Sequence, residues 1–182
     1  MANVSKTPPG VKGIERFREE NAIVGERLKQ AEATDDPEVR HQAMAVRLTW
    51  EDRKAVIDAY DEGRPFVANT YSTAPELAPA MGLPWFQVVG LPFGPFNLPA
   101  AADIIDESIA MGLGVDLCSL VRGSIHYLQN DFYPVPAAAI GVAFPCDGMP
   151  MFHQVMGHSS SPWRDVPVFC PDAAPYFNDG SE

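Results

Sequence analysis

The sequence predicts an α/β fold with a mostly parallel sheet flanked by helices, preceded by an N-terminal helical arm. After Arg64, short apolar runs alternate with helical stretches, a pattern typical of βαβ units. Before that point the chain is heavily charged and its pattern is helical throughout. Its 182 residues suffice for one domain with a full core. We therefore expect an arm over 1–63 and a Rossmann-like or flavodoxin-like α/β domain over 64–182.

The individual elements follow from breakers and caps. In the arm we expect helices over 13–33, 38–46 and 49–62, with Thr49 capping the third and Gly63 ending it. In the α/β domain we expect strands at 65–69, 85–89, 137–143 and 166–170. Helices are expected between them, at 75–81, 100–112, 119–130 and 148–156. The proline-rich residues 91–99 and the polar residues 157–165 are predicted loops.

Composition limits the classes of function. A formal net charge of −11 and a pI near 4.7 make nucleic acid an unfavourable partner. No apolar run is long enough to span a membrane, and the first fifteen residues do not resemble a targeting segment. Three cysteines without a signal peptide favour a reducing compartment, so we expect a soluble cytoplasmic protein. The phosphate-loop, GxGxxG, HExxH and GxSxG motifs are not in the sequence.

All three cysteines fall where predicted elements meet. Cys118 opens a helix, Cys146 lies between the third strand and a helix, and Cys170 ends the fourth strand. Carboxyl ends of parallel strands and helix N-termini favour ligands and thiolates. The set could therefore serve an iron–sulfur site. Because there is no CxxC pair, the spacing alone favours the alternative of three buried thiols that act as small hydrophobes.

Other polar side chains accompany these junctions. Tyr71, Ser72 and Glu76 follow the first strand, where they either face a site or cap the next helix. Asp147 adjoins Cys146 and could cap its helix. Arg122 lies one turn beyond Cys118, where it contacts an anionic ligand or merely solvent. The three histidines of this half are weaker candidates: His126 lies within a helix as a packing or a surface histidine, and His153 and His158 flank a helix end.

The ordered set of motifs resembles one known family. Residues Asp116–Met156, with a Leu-Cys start to a helix and a later Cys-Asp-Gly after a strand, resemble the 2-hydroxyacyl-CoA dehydratase and benzoyl-CoA reductase family. Residues Pro65–Gly90 look like the family's first strand and small-residue helix, and Val166–Tyr176 like its next strand and Asp/Pro loop. The resemblance covers about residues 10–182.

The resemblance implies a concrete chemistry. Family members hold a [4Fe–4S] cluster by three cysteines and leave one iron site open. Carried over, Cys118 and Cys146 would be two ligands, and Cys170 or another chain would complete the set. Tyr71, Ser72 and Glu76 would face the substrate as catalytic groups, while Arg122 and Asp147 would adjoin the cofactor.

The family also has partners. Its members work as two related subunits, and a separate ATP-hydrolysing iron–sulfur activator supplies their electrons. Single electrons then pass to an acyl-CoA thioester, for 2-hydroxyl loss or aromatic-ring reduction. Members are roughly twice as long, with a second α/β domain supplying the third cysteine. This chain could thus be a subunit, a half-subunit or a fragment. The alternatives are a cluster-free structural subunit of a larger complex, and a zinc- or thiol-active protein.

Overall fold

The computed structural model describes residues 10–70, 76–89, 101–142, 148–158 and 160–170. Two long helices come first and four short strands alternate with shorter helices after them. In chain order the elements are α1 (Val11–Glu32), α2 (Pro37–Asp61), β1 (Val67–Asn69), α3 (Leu77–Ala80), β2 (Trp85–Gln87), α4 (Ala101–Ala110), α5 (Ser119–Gln129), β3 (Ala138–Ile140), α6 (Gly148–Met156) and β4 (Val168–Phe169). Among these helices, none has the length and apolar character needed to cross a bilayer.

The four strands form one parallel sheet in the order β2-β1-β3-β4. The predicted α/β fold with a parallel sheet flanked by helices is therefore confirmed. Ala68 of β1 lies level with Phe86 of β2 on one side and with Ala139 of β3 on the other. The chain moves outward from β1 to β2, then crosses back to place β3 and β4 on the opposite side. The β1–β3 junction is thus the point at which the direction of winding reverses.

Aromatic side chains fill the core beside β2. The Phe86 ring packs edge-on against Phe17 of α1, with centroids 5.2 Å apart, and against Trp163 at 6.1 Å. Tyr133 lies against both Phe86 and Trp163. All four side chains are buried, and each contributes about 1.5–3 kcal/mol by leaving water. Helix α1 therefore shares its apolar face with the core of the sheet.

Residues 38–46 and 49–62 are helical as predicted, but helix α2 is continuous, so the predicted break between them and the cap at Thr49 are wrong. The observed N-cap is Asp36, whose carboxylate accepts a hydrogen bond from the Glu38 amide at 2.9 Å, with Pro37 in the first turn. A threonine inside a helix costs only a fraction of a kcal/mol. Trp50 holds this stretch in place, since its Nε1 donates to the Asn21 carbonyl of α1 at 3.0 Å.

Buried charges join the two long helices to α5. Arg16 Nε lies 2.8 Å from Glu20, and Arg53 of α2 approaches the second carboxylate oxygen at 3.1 Å. Arg16 also donates to the Tyr127 hydroxyl at 2.7 Å and stacks over that ring. Because charges buried together require defined partners, this network fixes how α1, α2 and α5 pack against each other.

Candidate functional site

The candidate site lies at the carboxyl edge of the sheet, at the β1–β3 junction. Thr70 follows β1 directly, and its amide donates to the Ile140 carbonyl of β3 at 2.8 Å. Gly141 follows β3, and its amide donates to Phe169 of β4 at 2.8 Å. Open parallel sheets bind ligands where the winding reverses, because loops on the two sides diverge there and leave a crevice. Thr70 and Gly141 mark that position here.

A hydrogen-bonded pair occupies this edge. His153 of α6 places Nε2 at 3.2 Å from the Thr70 hydroxyl oxygen. Thr70 is fully buried, whereas His153 is half-buried. Desolvation lowers the pKa of His153 below its ordinary value of 6.5, so the ring is neutral at pH 7. A neutral imidazole has one donor and one acceptor nitrogen. The hydrogen bond to Thr70 therefore fixes the orientation of the His153 ring at this edge.

Gly141 makes room for this pair. A Cβ at position 141 would overlap the His153 ring nitrogen Nε2 and would lie 2.9 Å from Thr70 Oγ1. A side chain at position 141 and the observed Thr70–His153 hydrogen bond are therefore incompatible. Gly141 is not among the residues with positive φ, so its backbone conformation does not require glycine. Glycine is needed here because the His153 ring and Thr70 approach the backbone closely.

Cys118 is the N-cap residue of α5 and its side chain is exposed. The Cys118 carbonyl accepts a hydrogen bond from the Arg122 amide at 2.9 Å, and the Cys118 side chain makes no capping hydrogen bond to the amides of the first turn. Cys170 follows β4 and is also exposed. For these two cysteines the buried-thiol interpretation is therefore wrong. Cys146 lies outside the described residues.

Arg122 is buried in the first turns of α5. Only 7% of the residue is exposed, and its Nε and Nη1 atoms have no hydrogen-bond partner in the described part of the chain. The prediction that it contacts merely solvent is wrong. The alternative, contact with an anion, stays a prediction.

The other predicted residues divide into two groups. Tyr71, Ser72 and Asp147 lie outside the described residues. Glu76 is exposed at the N-cap position of α3, and its side chain makes no capping hydrogen bond. Across residues 10–170 as described, no hydrogen bond links Glu76 to the Thr70–His153 pair. The predicted packing role of His126 is confirmed, since it is buried and lies 2.6 Å from Glu107 of α4.

Within the described ranges, no group of three His, Cys, Asp or Glu side chains could hold a metal ion. The described residues thus supply exposed thiols, but not a complete ligand set. No family model, no curated protein and no solved structure matches this chain. What the site does must therefore be argued from its own geometry and from the motifs in the sequence.

Sequence reasoning gave Thr70 no role and His153 only a weak one. The sequence does contain a feature that points to Thr70, because this residue directly follows a buried strand, at the sheet edge where ligands bind. His153 has no comparable signal. It comes 83 residues later, and only the pairing of β1 with β3 brings α6 against the end of β1.

Proposed function

We propose that this chain is a subunit, or half-subunit, of a cytoplasmic iron–sulfur enzyme that acts on acyl-CoA thioesters. Its reaction would be 2-hydroxyacyl-CoA dehydration or reduction of an aromatic acyl ring. The motif resemblance motivates the chemistry, and the parallel sheet with polar groups at its β1–β3 edge supports it. Two free, exposed thiols suit a reducing compartment.

One contact carries the proposal. A Cβ on Gly148, the first residue of α6, would lie 2.9 Å from Val121 and 3.5 Å from Leu117. Leu117 directly precedes Cys118, Val121 lies in the first turn of α5, and Gly148 follows Cys146 by two positions in the sequence. A chain of two residues spans at most about 7 Å. This contact between the start of α6 and the start of α5 supports a metal centre shared by the two chain segments that carry Cys118 and Cys146.

The residues fit part of a cluster site. An exposed thiol at a helix N-terminus is well suited to ligation, since the positive end of the helix dipole stabilises a thiolate. Cys118 and Cys146 would hold the cluster, with Cys170 or a cysteine of a partner subunit as the third ligand. When bound, the cluster would supply single electrons to the thioester.

The Thr70–His153 pair would handle protons at the same edge. Loss of a 2-hydroxyl group as water needs a proton, and ring reduction needs protons as well as electrons. His153 is neutral near pH 7 and Thr70 fixes its Nε2, so its Nδ1 is the atom that would exchange a proton with substrate or solvent. An activating protein that hydrolyses ATP would supply the electrons.

Iron and sulfide analysis of anaerobically purified protein tests the proposal. We expect iron, sulfide and a brown charge-transfer absorption in the wild-type chain with its partner subunit, and loss of all three signals in each of Cys118→Ser and Cys146→Ser. Cys170→Ser identifies the third ligand: lost iron assigns Cys170, and retained iron assigns the partner subunit. Unchanged iron after both of the first substitutions rejects the ligand assignment. A colourless, iron-free complex would favour a structural subunit instead.

A further inference from the structure

Arg122 stands out in the charge distribution of the α/β domain. Of the chain's 13 Lys and Arg residues, only Arg122 and Arg164 follow Arg64, whereas acidic residues continue throughout that part. Arg164 is exposed and lies 3.2 Å from the carboxylate of Asp165. Arg122 is instead 7% exposed, and two of its three guanidinium nitrogens are sequestered without a hydrogen-bond partner in the described residues.

A buried guanidinium without a partner is unfavourable. Moving a cation out of water costs several kcal/mol, which is recovered only when an anion and hydrogen-bond acceptors replace the solvent. In native proteins nearly all buried polar atoms are satisfied. The orphaned nitrogens of Arg122 therefore point to an acceptor that binds from outside the described chain.

Backbone donors lie next to this side chain. Helix α5 has 11 residues, and its first-turn amides have no side-chain cap. Helical side chains lean toward the N-terminus, so we expect the side chain of Arg122, the fourth residue of α5, to extend back over that turn. A guanidinium and free helix N-terminal amides are the two groups that most often bind oxyanions.

We propose that Arg122 and the first turn of α5 form a binding site for an oxyanion, either a carboxylate or a phosphate group. The guanidinium provides the charge and the amides of Ser119 and Leu120 provide directed donors. This site depends on the folded chain alone. It does not require an iron–sulfur cluster, although it would place an anionic group of a substrate beside Cys118.

Titration with inorganic phosphate and with acetate tests the site. Binding is followed by calorimetry and by thermal unfolding at constant ionic strength, so that general screening is held fixed. We expect one of the two anions to bind the wild-type chain. Arg122→Gln should weaken that binding about tenfold to a hundredfold, as expected for loss of charged hydrogen bonds. Arg164→Gln, which removes the other cation, should leave it within about twofold.

A second variant separates binding from folding. Arg122→Met removes the buried charge, so in buffer without phosphate or acetate it should unfold at or above the wild-type temperature. Added anion should then raise the wild-type melting temperature but not that of Arg122→Met. Equal responses of the two proteins, or no binding of either anion, would overturn the site. Iron content is also measured in Arg122→Gln, so that the anion site and the cluster proposal are tested separately. If anion binding is lost while iron content stays full, the substitution has affected only the anion site.

Discussion

The sharpest prediction concerns the space that Gly141 leaves for the Thr70–His153 pair. In Gly141→Ala the new Cβ would lie 2.7 Å from His153 Cε1, against 3.4 Å or more for an ordinary contact. The ring must therefore retreat by at least about 0.7 Å, because its Nε2 lies even closer to the new Cβ than Cε1 does. Its 3.2 Å hydrogen bond to Thr70 would then break. A lost hydrogen bond costs about 0.5–1.5 kcal/mol and overpacking about 1–3 kcal/mol, so we expect a loss of roughly 2–4 kcal/mol.

Urea unfolding and proton NMR measure the two consequences. The free energy of unfolding should fall by that amount, and the pKa of His153 should rise toward 6.5 as the ring becomes more exposed. Gly157→Ala is the matched control, because its Cβ would have no neighbour closer than 3.8 Å. In a His153→Ala background, Gly141→Ala should cost much less, since the clashing ring is gone. A Gly141→Ala protein of wild-type stability with an unshifted His153 pKa would refute this account.

Three further predictions use the same unfolding measurement. Gly13→Ala should cost about 3 kcal/mol or more, since its Cβ would overlap the Tyr133 carbonyl; a neutral effect would contradict the α1 packing. Asp36→Ala should cost about 1 kcal/mol by removing the α2 cap, and Asp36→Asn should cost less. Because the folded-state pKa of His153 is lowered, wild-type stability should fall as pH drops just below 6.5. His153→Gln should lack that component.

The fold was largely predictable from local patterns. The strands and helices after Arg64 lie where alternation of apolar runs with helical periodicity predicted them, and α6 spans the expected residues. The break expected at Thr49 was wrong because a capping residue marks the start of a helix only if the preceding helix has ended. In α2 the preceding residues stay helical. Here Trp50 bonds to α1 and keeps the preceding turn helical. Tertiary contact thus overrode a weak local signal.

The candidate site was predictable only in part. Cys118 was correctly placed at the start of a helix, because a cap is a local feature. The Thr70–His153 contact forms only because β3 lies beside β1 in the sheet. The order of the strands is set by the packing of the whole core, so local sequence patterns do not predict it. The burial of Arg122 has the same origin. A charged residue in the first turn of a helix is normally exposed, and only the packing around α5 reverses that expectation.

The distribution of charge decides what the chain requires from a partner. An acyl-CoA thioester carries several phosphate charges, which need cations at the binding surface. After Arg64 the chain offers only Arg122 and Arg164, within an acidic sequence. Arg122 is buried and can hold at most one anionic group, close to Cys118 at the start of α5. The remaining phosphates would be repelled by this surface, so acyl-CoA binding by the proposed enzyme requires basic side chains from the N-terminal helices or from the partner subunit. The isolated chain should therefore bind a small carboxylate or phosphate but bind coenzyme A weakly, and coenzyme A affinity should appear only in the assembled complex.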